Sequence, residues 1–175
     1  MNNDFACNGY SIIKNESQDS YTNLKRIVKD SIHSAVYKHT GDNIEDLDKL
    51  HLLVNKNKIN QIRMDAYLEI NSIDKIHDLC HDLISQPIHD LLGPDLAVQA
   101  NINLSIVMPN DPSSTIPFHS DVNTGESLHQ LVVWIPFTNC YSTNSVFICD
   151  MKESLGLHEK LSQLNKINEI SITEY

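Results

Sequence analysis

The residues best suited to chemistry lie in the run Pro117-Phe118-His119-Ser120-Asp121-Val122-Asn123-Thr124-Gly125-Glu126-Ser127. His119 and Asp121 are two positions apart, and side chains two apart on an extended backbone point to one face. An imidazole and a carboxylate on one face supply two of the three protein ligands of a non-haem ferrous centre, leaving positions open for a cosubstrate and O2. Such a centre needs a second histidine from a later segment. Downstream of Asp121 the chain offers only His129 and His158.

Three other groupings hold residues capable of chemistry. His77, Cys80 and His81 form H-x-x-C-H. On a helix His77 and His81 share a face and could chelate a metal together. Cys80 belongs to the apolar side, which favours two boundary histidines on a core helix. Asp42, Glu45, Asp46 and Asp48 lack the spaced oxygens and central glycine of a calcium loop. They read better as acidic residues favouring a helix dipole. Ser120 or Ser127 beside His119 has no G-x-S-x-G elbow to make a nucleophile of it.

The elements that must position these residues change character near residue 95. Before it the pattern is helical. From Tyr21 to His39, Leu24, Ile27, Val28, Ile32, Ala35 and Val36 fall on one face, with Ser20 or Asp19 as a cap and Gly41 as a stop. A second helix is expected over Asn57–Ile70. A third runs from an Asn71-Ser72 cap through Ile84 and ends before Pro87. After Gly93-Pro94 the period shortens. Ala97–Met108, Ile116–Phe118, Leu128–Phe137 and Ser145–Cys149 read as strands separated by turn residues. Glu153–Ile170 returns to a polar helical pattern. The expected architecture is α+β: an N-terminal helical layer followed by an antiparallel β unit.

Taken together, Gly93-x-Asp95-x-x-x-Gln99, Pro109-x-Asp111, His119-x-Asp121, Gly125-x-Ser127, Trp134-x-Pro136 and Thr143-Asn144-Ser145 resemble the phytanoyl-CoA dioxygenase-like branch of the iron(II)/2-oxoglutarate oxygenases. They look most like those of bacterial carbohydrate-biosynthesis clusters. The resemblance covers residues 90–150 and, more loosely, the helical lead-in. It implies a double-stranded β-helix (jelly roll) with helices packed on one sheet, and the cofactors Fe(II) and 2-oxoglutarate. His119 and Asp121 would ligate the iron. Gln99, Asn103 and Trp134 would face 2-oxoglutarate or substrate, and Ser127 and Asn144 would hydrogen-bond in the pocket. The implied substrate is a small molecule, a sugar nucleotide or glycan precursor. The family's second histidine and its carboxylate-binding arginine have no counterpart here, so the jelly roll is expected to be incomplete at its C-terminus, as in an N-terminal fragment or a truncated gene product.

Composition narrows the field. The chain has 175 residues, 23 acidic against 13 basic, and a formal net charge of -10. Only two arginines occur, Arg26 and Arg63. So acidic a chain is poorly suited to a phosphate backbone, and no run approaches a membrane span. Neither nucleic acid nor membrane is an expected partner. Four cysteines without a C-x-x-C pair suggest free thiols in a reducing cytoplasm. One domain is expected over 1–175: a helical lead-in to 92, β-helix strands over 93–150 and a helical tail over 151–175. An oligomer would cover the open sheet edge. The competing reading is a non-catalytic jelly-roll remnant that binds a carbohydrate or a protein partner.

Overall fold

The computed structural model describes residues 3–114, 119–127 and 129–163. It divides into two compact units. One holds residues 13–114 and 136–140. The other takes the described residues of 1–12, 115–135 and 141–175.

The first unit is built on two helices, α2 (Gln18–Thr40) and α4 (Lys56–Asn71), which pack against each other; α1 (Asn3–Asn8) precedes them. Leu24, Val28, Ile32, Ala35 and Val36 bury one face of α2. Ile59, Ile62, Ala66 and Ile70 form the facing stripe of α4. Their spacings of three, four and seven are those that align side chains on a helix. Each fully buried aliphatic side chain is worth roughly 1.5–3 kcal/mol, so this seam dominates the unit's stability. Ser17, not Ser20 or Asp19, caps α2, its side chain accepting from the Ser20 amide at 3.2 Å. Gly41 ends α2 in the left-handed region at φ 82°, as its position suggested.

Between them lie a 3-10 turn (Leu47–Lys49) and the short α3 (Leu50–Leu53). The acidic run supplies the start of that turn, where the Asp46 carboxylate accepts from the Asp48 amide at 3.1 Å. The expected third helix is two. α5 (Ile76–Asp82) also packs on α2, and α6 (Ser85–Leu92) follows a corner at Leu83-Ile84. Pro87 sits inside α6 rather than beyond a helix end. It is the third residue of the helix, where its missing N–H leaves no intrahelical bond unmade.

The expectation of a jelly roll on a helical layer is overturned. Among the described residues there is no strand, sheet or barrel. Ala97–Met108 shows why its alternation misleads. Ile102 and Leu104 are half-buried, Ile106 and Met108 are buried, and Asn103, Ser105 and Val107 are exposed. The backbone is extended, but its partners are side chains of α4. Asn71 acts as a strand would: its Nδ2 donates to the Ile102 carbonyl at 3.0 Å and its Oδ1 accepts from the Ile102 amide at 2.6 Å. Period two reports an extended chain with one face covered, and a helix can do the covering.

The same segment ends on Arg63. Its Nε and Nη2 donate to the Ile106 carbonyl at 2.9 and 2.7 Å. Nη1 reaches Asn60 and Ser113, and Nη2 also reaches Ser114 and Asp111, the last at 3.0 Å. This pins the turn Pro109–Ser114 to α4, and Lys56 adds a bond to the Asn110 carbonyl. The Asp111 carboxyl is held down to about 2, first by the Ser113 hydroxyl, against desolvation, with Ser114 and Arg63 adding to it. Residues 136–140 close the unit on α2: the Tyr21 hydroxyl donates to the Pro136 carbonyl at 2.9 Å and its ring stacks on Phe137.

In the second unit α1 contacts α7 (Met151–Gln163). The start of the expected Glu153–Ile170 helix is therefore present, and 164–170 lie outside the described residues. So do Ile116–Phe118 and Leu128. The described parts of Leu128–Phe137 and Ser145–Cys149 form no strand. They leave Val132, Val133, Trp134, Val146, Phe147 and Ile148 exposed. A strand needs a second backbone for its N–H and C=O groups, and apolar content alone does not supply one.

Two measurements test this account. Ile62→Ala should lose about 2–5 kcal/mol in urea unfolding, whereas Leu68→Ala, at an exposed position of the same helix, should stay within about 0.5 kcal/mol. Because Asp111 titrates lower in the folded chain than its ordinary 3.8, its contribution is present above that value and is lost as pH falls toward about 2. Asp111→Asn should therefore be less stable at neutral pH and should flatten the wild type's fall in stability below pH 4, read from melting curves across pH.

Candidate functional site

Ser120 is extended and leads from His119 into a 3-10 turn over Asp121–Thr124. Gly125, at φ 99°, ends that turn by donating its amide to the Asp121 and Val122 carbonyls. A side chain at position 125 would be strained, which accounts for the glycine. The Glu126 amide adds a bond to the Asp121 carbonyl at 3.1 Å. The turn brings His119 Nε2 to 3.2 Å from Asp121 Oδ1. The expected juxtaposition is thus reached by a turn rather than by alternation along a strand. Both side chains are a little under half exposed, at 45% and 41%.

Two donor atoms 3.2 Å apart can share one ion. With metal–ligand distances of about 2.1 Å, they subtend close to 100° at the metal, as neighbouring ligands in an octahedral site would. The pair therefore fits two corners of a ferrous centre. No group of three His, Cys, Asp or Glu side chains able to hold a metal ion occurs among the described residues. Neither His129 nor His158, both exposed, completes the pair. Gln130 does reach it, its Nε2 donating to Asp121 Oδ2 at 3.3 Å. Sequence reasoning missed this contact, because nine residues of separation across a turn carry no periodic signal.

The other expected pocket residues are dispersed. Gln99 and Asn103 belong to the first unit, Trp134, Ser127 and Asn144 to the second. Gln99 Nε2 lies 3.5 Å from Asn103 Oδ1, at the limit of a hydrogen bond. The Ser127 hydroxyl accepts from the His129 amide at 3.1 Å, and Asn144 Oδ1 accepts from the Tyr141 amide, so both serve local turns. Trp134 is about half exposed.

Histidines elsewhere have specific partners. His39 Nε2 lies 2.7 Å and Lys38 Nζ 2.8 Å from Asp65 Oδ2. The hydrogen bond from Lys38, then that from His39, holds the Asp65 carboxyl below its usual range. This node joins the end of α2 to α4. His77 Nε2 donates to the Gln99 carbonyl at 3.0 Å. His81 turns away from His77 and meets His89, with Nε2 atoms 3.2 Å apart and rings tilted at 48°. The expected His77–His81 face is therefore divided between two partners.

All four cysteines are free thiols in the structure, and no helix among the described residues is long and apolar enough to cross a membrane. Comparison with protein-family models, with characterised proteins and with solved structures gave no match.

Burial pushes the Cys80 thiol up to about 11, against an ordinary value of 9.0. Its thiolate fraction at pH 8 is then about 100-fold below that of an ordinary thiol. Labelling with a chromogenic disulfide at pH 8, assigned with single Cys→Ser variants, should find Cys7 reacting first and Cys80 last. Rapid labelling of Cys80 would mean that α5 is not seated as described.

Proposed function

We propose that the chain serves a ferrous iron- and 2-oxoglutarate-dependent hydroxylation of a small, carbohydrate-related molecule, with His119 and Asp121 as metal ligands. The observation that carries this reading is the approach of His119 Nε2 to Asp121 Oδ1 in an accessible turn. The choice of cosubstrate and substrate class rests on the sequence resemblance. Ferrous iron with 2-oxoglutarate supplies the oxidising chemistry when bound. The protein residues hold and orient. His119 offers an imidazole nitrogen and Asp121 a carboxylate oxygen. Gln130 fixes the second carboxylate oxygen, which leaves Oδ1 directed at the imidazole. Groups beyond the metal ligands commonly alter metal affinity by tenfold or more when removed.

A second reading has its own observation. Exposed Trp134, Phe147 and their aliphatic neighbours suit a non-catalytic binding surface for a carbohydrate or a protein partner.

The test is anaerobic titration of the chain with Fe(II) in the presence of 2-oxoglutarate, followed by visible absorbance. The wild type should develop a weak charge-transfer band. His119→Ala and Asp121→Ala should lose it, and Gln130→Ala should need about tenfold more iron. A wild type with no band, or a band unchanged in His119→Ala, overturns the iron reading and leaves the binding surface.

A further inference from the structure

We propose that His81 and His89 form a second metal site, for a divalent ion of the zinc, nickel or copper class, which clamps the corner between α5 and α6. This inference does not rest on the iron reading.

The two rings come from different helices. The chain reverses between them at Leu83 and Ile84, both buried at 2% and 8% exposure. That corner is held on several sides. The Ile84 amide donates to the His81 carbonyl at 3.0 Å and the Ile88 amide to the Ile84 carbonyl at 3.1 Å. Glu16 caps α6 from a distant part of the chain, its Oε2 accepting from the Ser85 hydroxyl and the Gln86 amide, both at 3.1 Å. Glu16 also donates its own amide to the Leu83 carbonyl at 2.9 Å. At the last residue of α5, beside the corner, the Ser20 hydroxyl of α2 donates to Asp82 at 3.1 Å. The positions of the two imidazoles are therefore fixed by packing and capping, not by their own contact, and an ion would find both donors already in place.

The geometry of the pair suits one ion. Nitrogen to zinc distances of about 2.05 Å across a 3.2 Å gap put the ligand–metal–ligand angle near 100°, close to tetrahedral. Between neutral rings the 3.2 Å contact is an N–H···N hydrogen bond, in which one ring carries its proton on Nε2 and the other on Nδ1. Metal binding needs both rings in the Nδ1–H form. The donor ring moves its proton from Nε2 to Nδ1 through water, and no net proton is released. Imidazole pairs favour zinc, nickel and copper over magnesium or calcium. Charge favours a cation as well: between residues 74 and 95 the chain carries five aspartates against one lysine. With no third His, Cys, Asp or Glu converging among the described residues, water would take the remaining positions, as befits an exchangeable site rather than a structural one.

The experiment is isothermal titration of the full chain with Zn(II) alone in a non-chelating buffer, in an Asp121→Asn background that removes the other candidate pair. One site is expected. His81→Ala and His89→Ala should each weaken it by at least about tenfold, while His77→Ala and Cys80→Ser should leave it within about threefold. Cu(II) electron paramagnetic resonance should show nitrogen ligation that falls from two imidazoles to one in either variant. Should an alanine variant fail to fold by circular dichroism, His81→Gln and His89→Gln replace it. Unchanged zinc affinity and copper spectra in both histidine variants overturn the proposal. So does loss of the site in His77→Ala.

Discussion

The guanidinium of Arg63 makes the densest set of bonds between two kinds of chain, a helix and a segment without regular structure, which Asn71 and Lys56 also join. It stands on α4, a helix already fixed by its apolar seam with α2, and reaches the backbone of an extended segment at Ile106 and the side chains of a turn at Ser113, Ser114 and Asp111. An extended segment that lies on helices has no sheet neighbour to take up its polar groups, so each must be satisfied singly. Arginine suits that task because one rigid fork presents five donors. Lysine at the same position would keep the charge but not the simultaneous bonds to a carbonyl and a carboxylate. The Asp111 side chain is only 7% exposed, and removing either partner would leave the other buried without its counter-charge.

Much of the helical half was legible because its signals are local. Gly41 stops α2 where the pattern placed a stop, and Ile59, Ile62, Ala66 and Ile70 are the residues that α4 buries. The expected strands are absent among the described residues for a reason that concerns information rather than propensity. Alternation at Ile102, Leu104, Ile106 and Met108 states that one face is covered. It does not state by what. That answer lies in Asn71 and Arg63, dozens of residues away, and neither type is distinctive as a strand surrogate. At Trp134 and Phe147 the reason differs: apolar content suggests burial, and the structure leaves both exposed.

The two donor pairs, His119–Asp121 and His81–His89, form by different routes. His119 and Asp121 could be found from spacing because a short turn and an extended chain both bring residues two apart within reach. His81 and His89 could not, since their meeting depends on the corner at Leu83-Ile84 and on Pro87 being tolerated inside α6. Both pairs place two donor atoms 3.2 Å apart. They differ in how that distance is set. His119–Asp121 is held by backbone bonds within one turn, and His81–His89 by the seating of two helices.

The first unit is not continuous along the chain. Its helices lie within residues 13–114, but the contact of Tyr21 with Pro136 and Phe137 spans 115 residues of sequence. Closing so long a loop costs chain entropy before it returns any contact, and it slows whatever step includes it. During synthesis the helices can assemble as soon as they leave the ribosome, while Tyr21 keeps its face uncovered until residues 136–140 have followed. For that interval the helical core waits with the Tyr21 side of α2 open.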